Sequence, residues 1–197
     1  GEAVRPTLVM LTWRGGDRLT RCLRSIEPAL TFFSRVILSV TATEDSDDAR
    51  QAREFAARNV GVEVVCTGRE LPTMEHQRFW IEYLQSSGAQ PDDWIFWLAY
   101  DDEVRSAGIS ALVDAAGHWP LQRSHAYIGP WAMRHESADQ LWAGDPQAAL
   151  ESWTAMSPSR RRMPVMQWIA EQVRQPTYIQ MSGSVLPLAA HAELVLR

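Results

Sequence analysis

The sequence predicts an α/β protein with a mostly parallel, Rossmann-like sheet flanked by helices. Three observations carry that prediction. Strand-sized apolar runs alternate with helical periodicity through the first 104 residues, the connections between them are short, and the fourth run is apolar from Trp94 to Tyr100. A run of that kind, with turn signals at Ser86-Ser87-Gly88 and Pro91 before it, reads as a strand buried on both faces, which parallel sheets favour.

Thr7 to Thr12 is the first strand, and Trp13-Arg14-Gly15-Gly16 is the turn that ends it. From Asp17 the pattern becomes helical, with Leu19, Cys22, Leu23, Ile26 and Leu30 recurring at steps of three and four. Arg35 to Val40 gives the second strand, and the acidic run Thr41 to Asp48 leads into a helix from about Asp47 to Asn59. Val62 to Cys66 is the third strand, stopped at Gly68, and a helix from about Met74 to Gln85 follows Pro72. Beyond the fourth strand the chain reads as a helix over Ala107 to Ala116, an extended segment over Ser124 to Met133 and an irregular stretch from Arg134 to Pro158. Pro164 to Gln175 has an amphipathic helical pattern, Tyr178 to Met181 is a short strand ending in Ser182-Gly183-Ser184, and Pro187 to Leu196 is helical. One domain over 1–197 is expected, with 6–117 and 118–197 as its two halves.

With 197 residues and 46% hydrophobic residues, the chain can bury an ordinary globular core. A net charge of −5 argues against a nucleic-acid surface, which relies on clustered positive charge. All 19 basic residues other than histidine are arginine, a pattern that genomic base composition explains as well as phosphate recognition does. Cys22 and Cys66 form neither a disulfide framework nor a metal spacing, which fits a reducing, cytoplasmic setting. No spanning helix or signal peptide is legible. Because the chain begins at Gly1 rather than methionine, its first residues stay outside fold reasoning.

The chemically suggestive stretch is Tyr100-Asp101-Asp102-Glu103, where the fourth strand runs into three consecutive carboxylates. Three adjacent negative charges repel one another, and a hard cation such as Mg²⁺ or Mn²⁺ relieves that repulsion. In open α/β sheets ligands bind beyond the carboxyl ends of the strands, where this cluster falls. The plainer role is an acidic turn capping the next helix.

Taken together, Thr12-Trp13-Arg14, the acidic run after strand two, Gln77-Arg78 and the Tyr100-Asp101-Asp102-Glu103 tip resemble family 2 glycosyltransferases of the GT-A fold over about 6–117. Met181-Ser182-Gly183-Ser184 extends the likeness toward an acceptor-side half. The resemblance implies a metal-dependent inverting glycosyltransferase that moves a sugar from a UDP- or dTDP-sugar donor to a hydroxyl of a glycan, lipid-linked or small-molecule acceptor. Asp102 and Glu103 are the implied ligands for Mg²⁺ or Mn²⁺, with Asp101 shared between metal and donor. Thr12, Trp13, Arg14 and either Glu44 or Asp45 are implied at the nucleotide, and Arg78 at the diphosphate. Trp13 can stack on a base or pack in the core; Glu44, Asp45 and their neighbours serve equally as a helix N-cap.

The general base implied by an inverting mechanism has no clear signature. Glu193, Glu136, Asp139 and Asp145 are the candidates; the alternative is that the C-terminus is truncated. Arg160-Arg161-Arg162 suits a phosphate, a peripheral membrane contact or an exposed loop. Trp131, Trp142 and Trp153 suit a sugar-stacking wall or burial in a homo-oligomer. His76 is expected either near the donor or in solvent. Two other classes stand against the transferase: a non-catalytic sugar-nucleotide-binding module on a degenerate GT-A fold, and a nucleotidyltransferase, to which Gly15-Gly16 is a faint pointer.

Overall fold

A computed structural model of the chain describes residues 5–118, 125–128, 146–155, 162–164 and 184–196. It is an α/β fold with the mostly parallel, helix-flanked sheet predicted for the chain. Among the described residues seven strands form one sheet: β1 (Thr7–Thr12), β2 (Arg35–Val40), β3 (Val62–Cys66), β4 (Trp94–Ala99), β5 (His125–Ile128), β6 (Arg162–Pro164) and β7 (Ser184–Pro187), in the order β3-β2-β1-β4-β7-β5-β6. The first four run parallel, with Thr12 beside Val40 and Leu11 beside Ala99. Strand β7 runs antiparallel to β4, β5 antiparallel to β7 and β6 antiparallel to β5.

The period-two alternation of β1 divides the core between the sheet's two faces. Leu8 and Met10 join Phe96 and Leu98 on one face, packed by Leu19, Cys22, Leu23 and Ile26 of α1 (Gly16–Ile26) and Ala49, Ala52 and Phe55 of α2 (Asp47–Arg58). Val9 and Leu11 join Ile37 and Ile95 on the other, packed by Trp80, Ile81 and Leu84 of α3 (Thr73–Ser86) and Leu188 of the terminal helix. Each such large side chain contributes roughly 1.5–3 kcal/mol on leaving water. Two covered faces explain why β1 is buried at all six positions and why β4 reads as a continuous apolar run.

Helix α1 continues as a 3-10 turn over Glu27–Phe32, with Pro28 in its first turn. Helix α4 (Ser106–His118) follows the acidic tip, and α5 (Pro146–Ala155) lies within the stretch expected to be irregular. That expectation is corrected: Gln147 to Leu150 are ordinary helix formers after a proline at the first position, a start signal hidden by the surrounding polar residues. Arg162, expected in a loop, opens β6. Ser184, expected to end a strand, begins β7, whose Val185 and Leu186 are buried against β4. Helix α6 (Leu188–Leu196) then starts beside the amino end of β4, where the Leu188 and Ala189 amides donate to the Asp93 and Pro91 carbonyls at 2.8 and 2.9 Å. The expected helix over Pro164 to Gln175, beyond Pro164 itself, and the expected strand over Tyr178 to Met181 lie outside the described residues. Among those residues no helix is long and apolar enough to cross a membrane.

Candidate functional site

The parallel strands all finish at one edge of the sheet, and the suggestive residues gather there. Strand β1 ends at Thr12, whose side chain is buried and whose hydroxyl donates to Asp48 Oδ2. The other oxygen of Asp48 accepts the Gly15 amide at 2.9 Å. Asp48 shares the buried stripe of α2 with Ala52 and Phe55, and its carboxylate ties the turn after β1 to that helix. Ser46 caps α2, its Oγ accepting from the Ala49 amide at 3.1 Å.

Space, rather than backbone freedom, requires glycine at position 15. A Cβ there would lie 2.5 Å from Leu19 Cβ and 3.3 Å from Tyr100 Cδ2. The turn therefore packs directly on the residue that precedes the acidic tip. Burial and the neighbouring carboxylate of Asp101 raise the pKa of the Tyr100 hydroxyl, while Arg18, hydrogen-bonded to it, works in the opposite direction.

Asp101, Asp102 and Glu103 are exposed beyond β4, on a turn in which the Asp102 amide donates to the Ala99 carbonyl at 3.1 Å. The Val104 amide bonds Ser25 Oγ at 3.0 Å and fixes the far side of the turn to α1. The field of the tip reaches the core. Cys22, whose Sγ lies 3.7 Å from the Ala99 carbonyl oxygen, has its thiol pKa pushed up by burial and then by Asp102, Asp101 and Glu103. Among the described residues no three His, Cys, Asp or Glu side chains converge as a ready-made metal cage. Adjacent exposed carboxylates suit Mg²⁺ or Mn²⁺ in a different manner, since such ions take one or two protein carboxylates and complete their shell with phosphate and water.

Trp13 and Arg14 project from the turn itself. Trp13 is 49% exposed, which sets aside core packing as its role. Arg14 adopts the left-handed backbone region (φ 47°) and forms a two-pronged pair with Glu70, at 2.7 and 3.1 Å. Its guanidinium carbon also lies 5.4 Å from the centroid of the Trp13 ring. Of the acidic run, Glu44 pairs with Arg53 at 2.9 Å and Asp45 accepts from Thr43 at 2.5 Å; both are exposed. Arg78 is exposed on α3 and makes no ion pair among the described residues.

His76 does not face solvent. It is buried in the first turn of α3, with Nε2 2.8 Å from Ser39 Oγ, and burial lowers its pKa to about 4. Glu193 is exposed on α6, a helix that begins at the end of β4 opposite the acidic tip. Glu136, Asp139 and Asp145 lie outside the described residues.

Sequence reasoning missed Asp48, Arg18 and Glu70. Asp48 was detectable, because it stands at i, i+4 and i+7 with Ala52 and Phe55, and a carboxylate in an apolar stripe needs donors. Glu70 carries no local signal, as its partner Arg14 is 56 residues away.

Defined by its sheet order and flanking helices, the chain has a GT-A, Rossmann-like fold. Structural neighbours of the chain include glycosyltransferases of the GT-A type, among them S. aureus TarS. TarS residues 1–349 in complex with UDP-GlcNAc align at 12% identity and a TM-score of 0.59, over 94% of this chain and 46% of that one. A second TarS structure aligns at 11% identity and a TM-score of 0.58, over 94% of this chain and 29% of TarS. The chain thus spans less than half the length of either TarS chain. A 4-diphosphocytidyl-2C-methyl-D-erythritol synthase aligns at 12% identity and a TM-score of 0.50, over 94% of this chain and 75% of that one. No family model and no curated protein matches the sequence.

Proposed function

We propose that the chain is a metal-dependent, inverting glycosyltransferase of the family 2 type, taking a UDP- or dTDP-sugar as donor and a hydroxyl of a glycan, lipid-linked or small-molecule acceptor. The observation that carries this reading is the exposed Asp101-Asp102-Glu103 tip at the carboxyl end of β4, on the same sheet edge as the exposed Trp13. The fold shared with TarS, which was solved with UDP-GlcNAc, supports it.

In this proposal Trp13 offers its indole to the nucleobase, a contact worth about 1–3 kcal/mol per base. Thr12 and Asp48 hold the turn that presents it. Asp102 and Glu103, with Asp101 beside them, bind Mg²⁺ or Mn²⁺; when bound, the ion supplies Lewis-acid stabilisation of the leaving diphosphate. Arg78, exposed on the helix before β4, offers a guanidinium to the same diphosphate. The base that deprotonates the acceptor hydroxyl is sought among Glu136, Asp139, Asp145 and Glu193.

Calorimetric titration with UDP and with dTDP, each with and without Mn²⁺, tests the proposal. Binding that strengthens with Mn²⁺ is expected; no binding to either nucleotide in either condition overturns it.

Nucleotidyl transfer is the alternative reaction, favoured by the likeness to the diphosphocytidyl-methylerythritol synthase and by glycines after β1. It is the weaker one, because a phosphate-cradling turn offers its backbone amides to the ligand, whereas the Gly15 amide already bonds Asp48. Pyrophosphate release from CTP would favour that alternative.

A further inference from the structure

The turn after β1 holds its aromatic residue beneath a cation. Arg14 lies over the Trp13 ring at 5.4 Å and is kept there by Glu70, which takes both guanidinium prongs at 2.7 and 3.1 Å. Glu70 is not on a loose loop. The Thr67 and Gly68 amides bond the Val40 and Ala42 carbonyls at 2.9 and 3.1 Å, and the Leu71 amide bonds Thr41 Oγ1 at 2.6 Å, so the segment before α3 is pinned to the end of β2. Trp13 is about half buried, whereas the Arg14 side chain above it is 69% exposed. Arg14 thus covers one face of the indole, and its own exposed side chain has solvent on its outer side into which it can swing. A guanidinium and a nucleobase are both flat and both stack on an indole face, so they compete for it.

We propose that Arg14 and Glu70 form a clasp closed over the stacking face of Trp13, which the donor's nucleobase occupies only when Arg14 leaves Glu70 and swings aside. Glu70 is then a residue that sets donor affinity by holding the competitor in place, and not one that reads the base edge. This inference rests on the proposed role of Trp13 as the base platform. Freed from Glu70, Arg14 has only the exposed cation–π contact to give up, and exposed ion pairs and cation–π contacts are individually weak. The expected gain on releasing the clasp is accordingly modest.

Calorimetry with UDP, with dTDP and with inorganic pyrophosphate, all in Mn²⁺, on the wild type, Glu70→Gln and Trp13→Ala tests the clasp. Glu70→Gln is expected to bind UDP about three- to tenfold tighter while pyrophosphate affinity stays within about twofold, and Trp13→Ala to lose UDP affinity. If Glu70→Gln tightens UDP and pyrophosphate equally, the effect is one of net charge and the clasp is overturned. Weaker UDP binding in Glu70→Gln overturns it as well, and assigns Glu70 either to the base or to holding Trp13, whose side chain also hydrogen-bonds it. UDP binding by the wild type with no gain in Glu70→Gln overturns the clasp alone, whereas no UDP or dTDP binding in any of the three proteins overturns the donor proposal and the clasp with it.

Discussion

Two sets of carboxylates flank the end of β1, and burial gives them opposite work. Asp48 is 5% exposed, with both oxygens taken by donors from the turn after β1. Asp101, Asp102 and Glu103 are exposed on a turn that projects past the sheet. A buried carboxylate costs several kcal/mol of hydration and persists only if its oxygens are satisfied, so Asp48 is bound to structure. An exposed cluster retains its hydration and its mutual repulsion, and can exchange both for a cation at little structural cost. Being acidic and near a strand end is therefore not enough to make a candidate ligand; the lone pairs must also be accessible.

The largest expected effect tests the exposed set. Asp102→Asn should lower sugar transfer, or hydrolysis of the UDP-sugar, by about 100-fold or more, the scale of losing an electrostatic group at a developing charge. Its thermal midpoint should stay within about 2 °C of wild type, since Asp102 is exposed and water competes for the contacts of an exposed carboxylate. A large fall in stability with activity intact would place Asp102 with Asp48 among the structural acids.

Asp48→Ala should do the reverse of Asp102→Asn in kind. It strands the Thr12 hydroxyl and the Gly15 amide, both buried, and should cost about 3 kcal/mol in a urea unfolding experiment. Gly15→Ala attacks the same corner sterically, driving a methyl to 2.5 Å from Leu19 Cβ, and should cost about 1–3 kcal/mol. An unchanged urea midpoint in both variants would mean that the corner is not what orders the turn.

The difference between the two sets also marks what could be read without a structure. The four parallel strands and their helices follow from one-dimensional patterns, because β1 and β4 are buried on both faces and α1 to α3 repeat their apolar residues at helical spacing. The acidic tip was legible for the same reason, being a charge cluster at the end of an apolar run. The Arg14 and Glu70 pair was not, as it depends on how β1 and the segment after β3 meet at the sheet edge. Strands β6 and β7 were missed because three or four residues beside prolines carry almost no periodicity, and β7 is specified by its pairing with β4 instead. The long acidic run drew attention to Glu44 and Asp45, whereas the deeper signal was the one acid placed on an apolar stripe.

Buried histidines extend the contrast to groups that cannot bear charge. His191 on α6 is fully buried, edge-on to Trp80 at 5.2 Å, with neither ring nitrogen bonded among the described residues; burial lowers its pKa to about 3. The folded-state pKa lies below the unfolded value of 6.5, so the unfolded chain binds the proton first as pH falls. Stability is therefore full above about pH 6.5 and declines toward pH 3, with His76 adding to the loss down to about pH 4. Each histidine contributes a slope of at most about 1.4 kcal/mol per pH unit. Urea midpoints measured from pH 7.5 to 4.5 should fall, and His191→Leu should flatten the fall; an unchanged pH dependence in that variant would show that α6 carries no share of it.

The smallest effect is expected one residue from Asp48. Asp47 is exposed, bonded to Arg50 at 2.6 Å and Gln51 at 2.9 Å, and those bonds hold its carboxyl below the usual range. Water competes for every one of these contacts, and i,i+3 pairs of this kind on a helix surface are weak. Asp47→Asn should move the thermal midpoint by less than about 2 °C and leave UDP binding unchanged. Adjacent aspartates, one step apart on α2, would then differ severalfold in their hold on the fold, as their burial and their partners differ. A loss in Asp47→Asn as large as that in Asp48→Ala would show instead that charge at the start of α2, acting on the helix dipole, is what stabilises this corner.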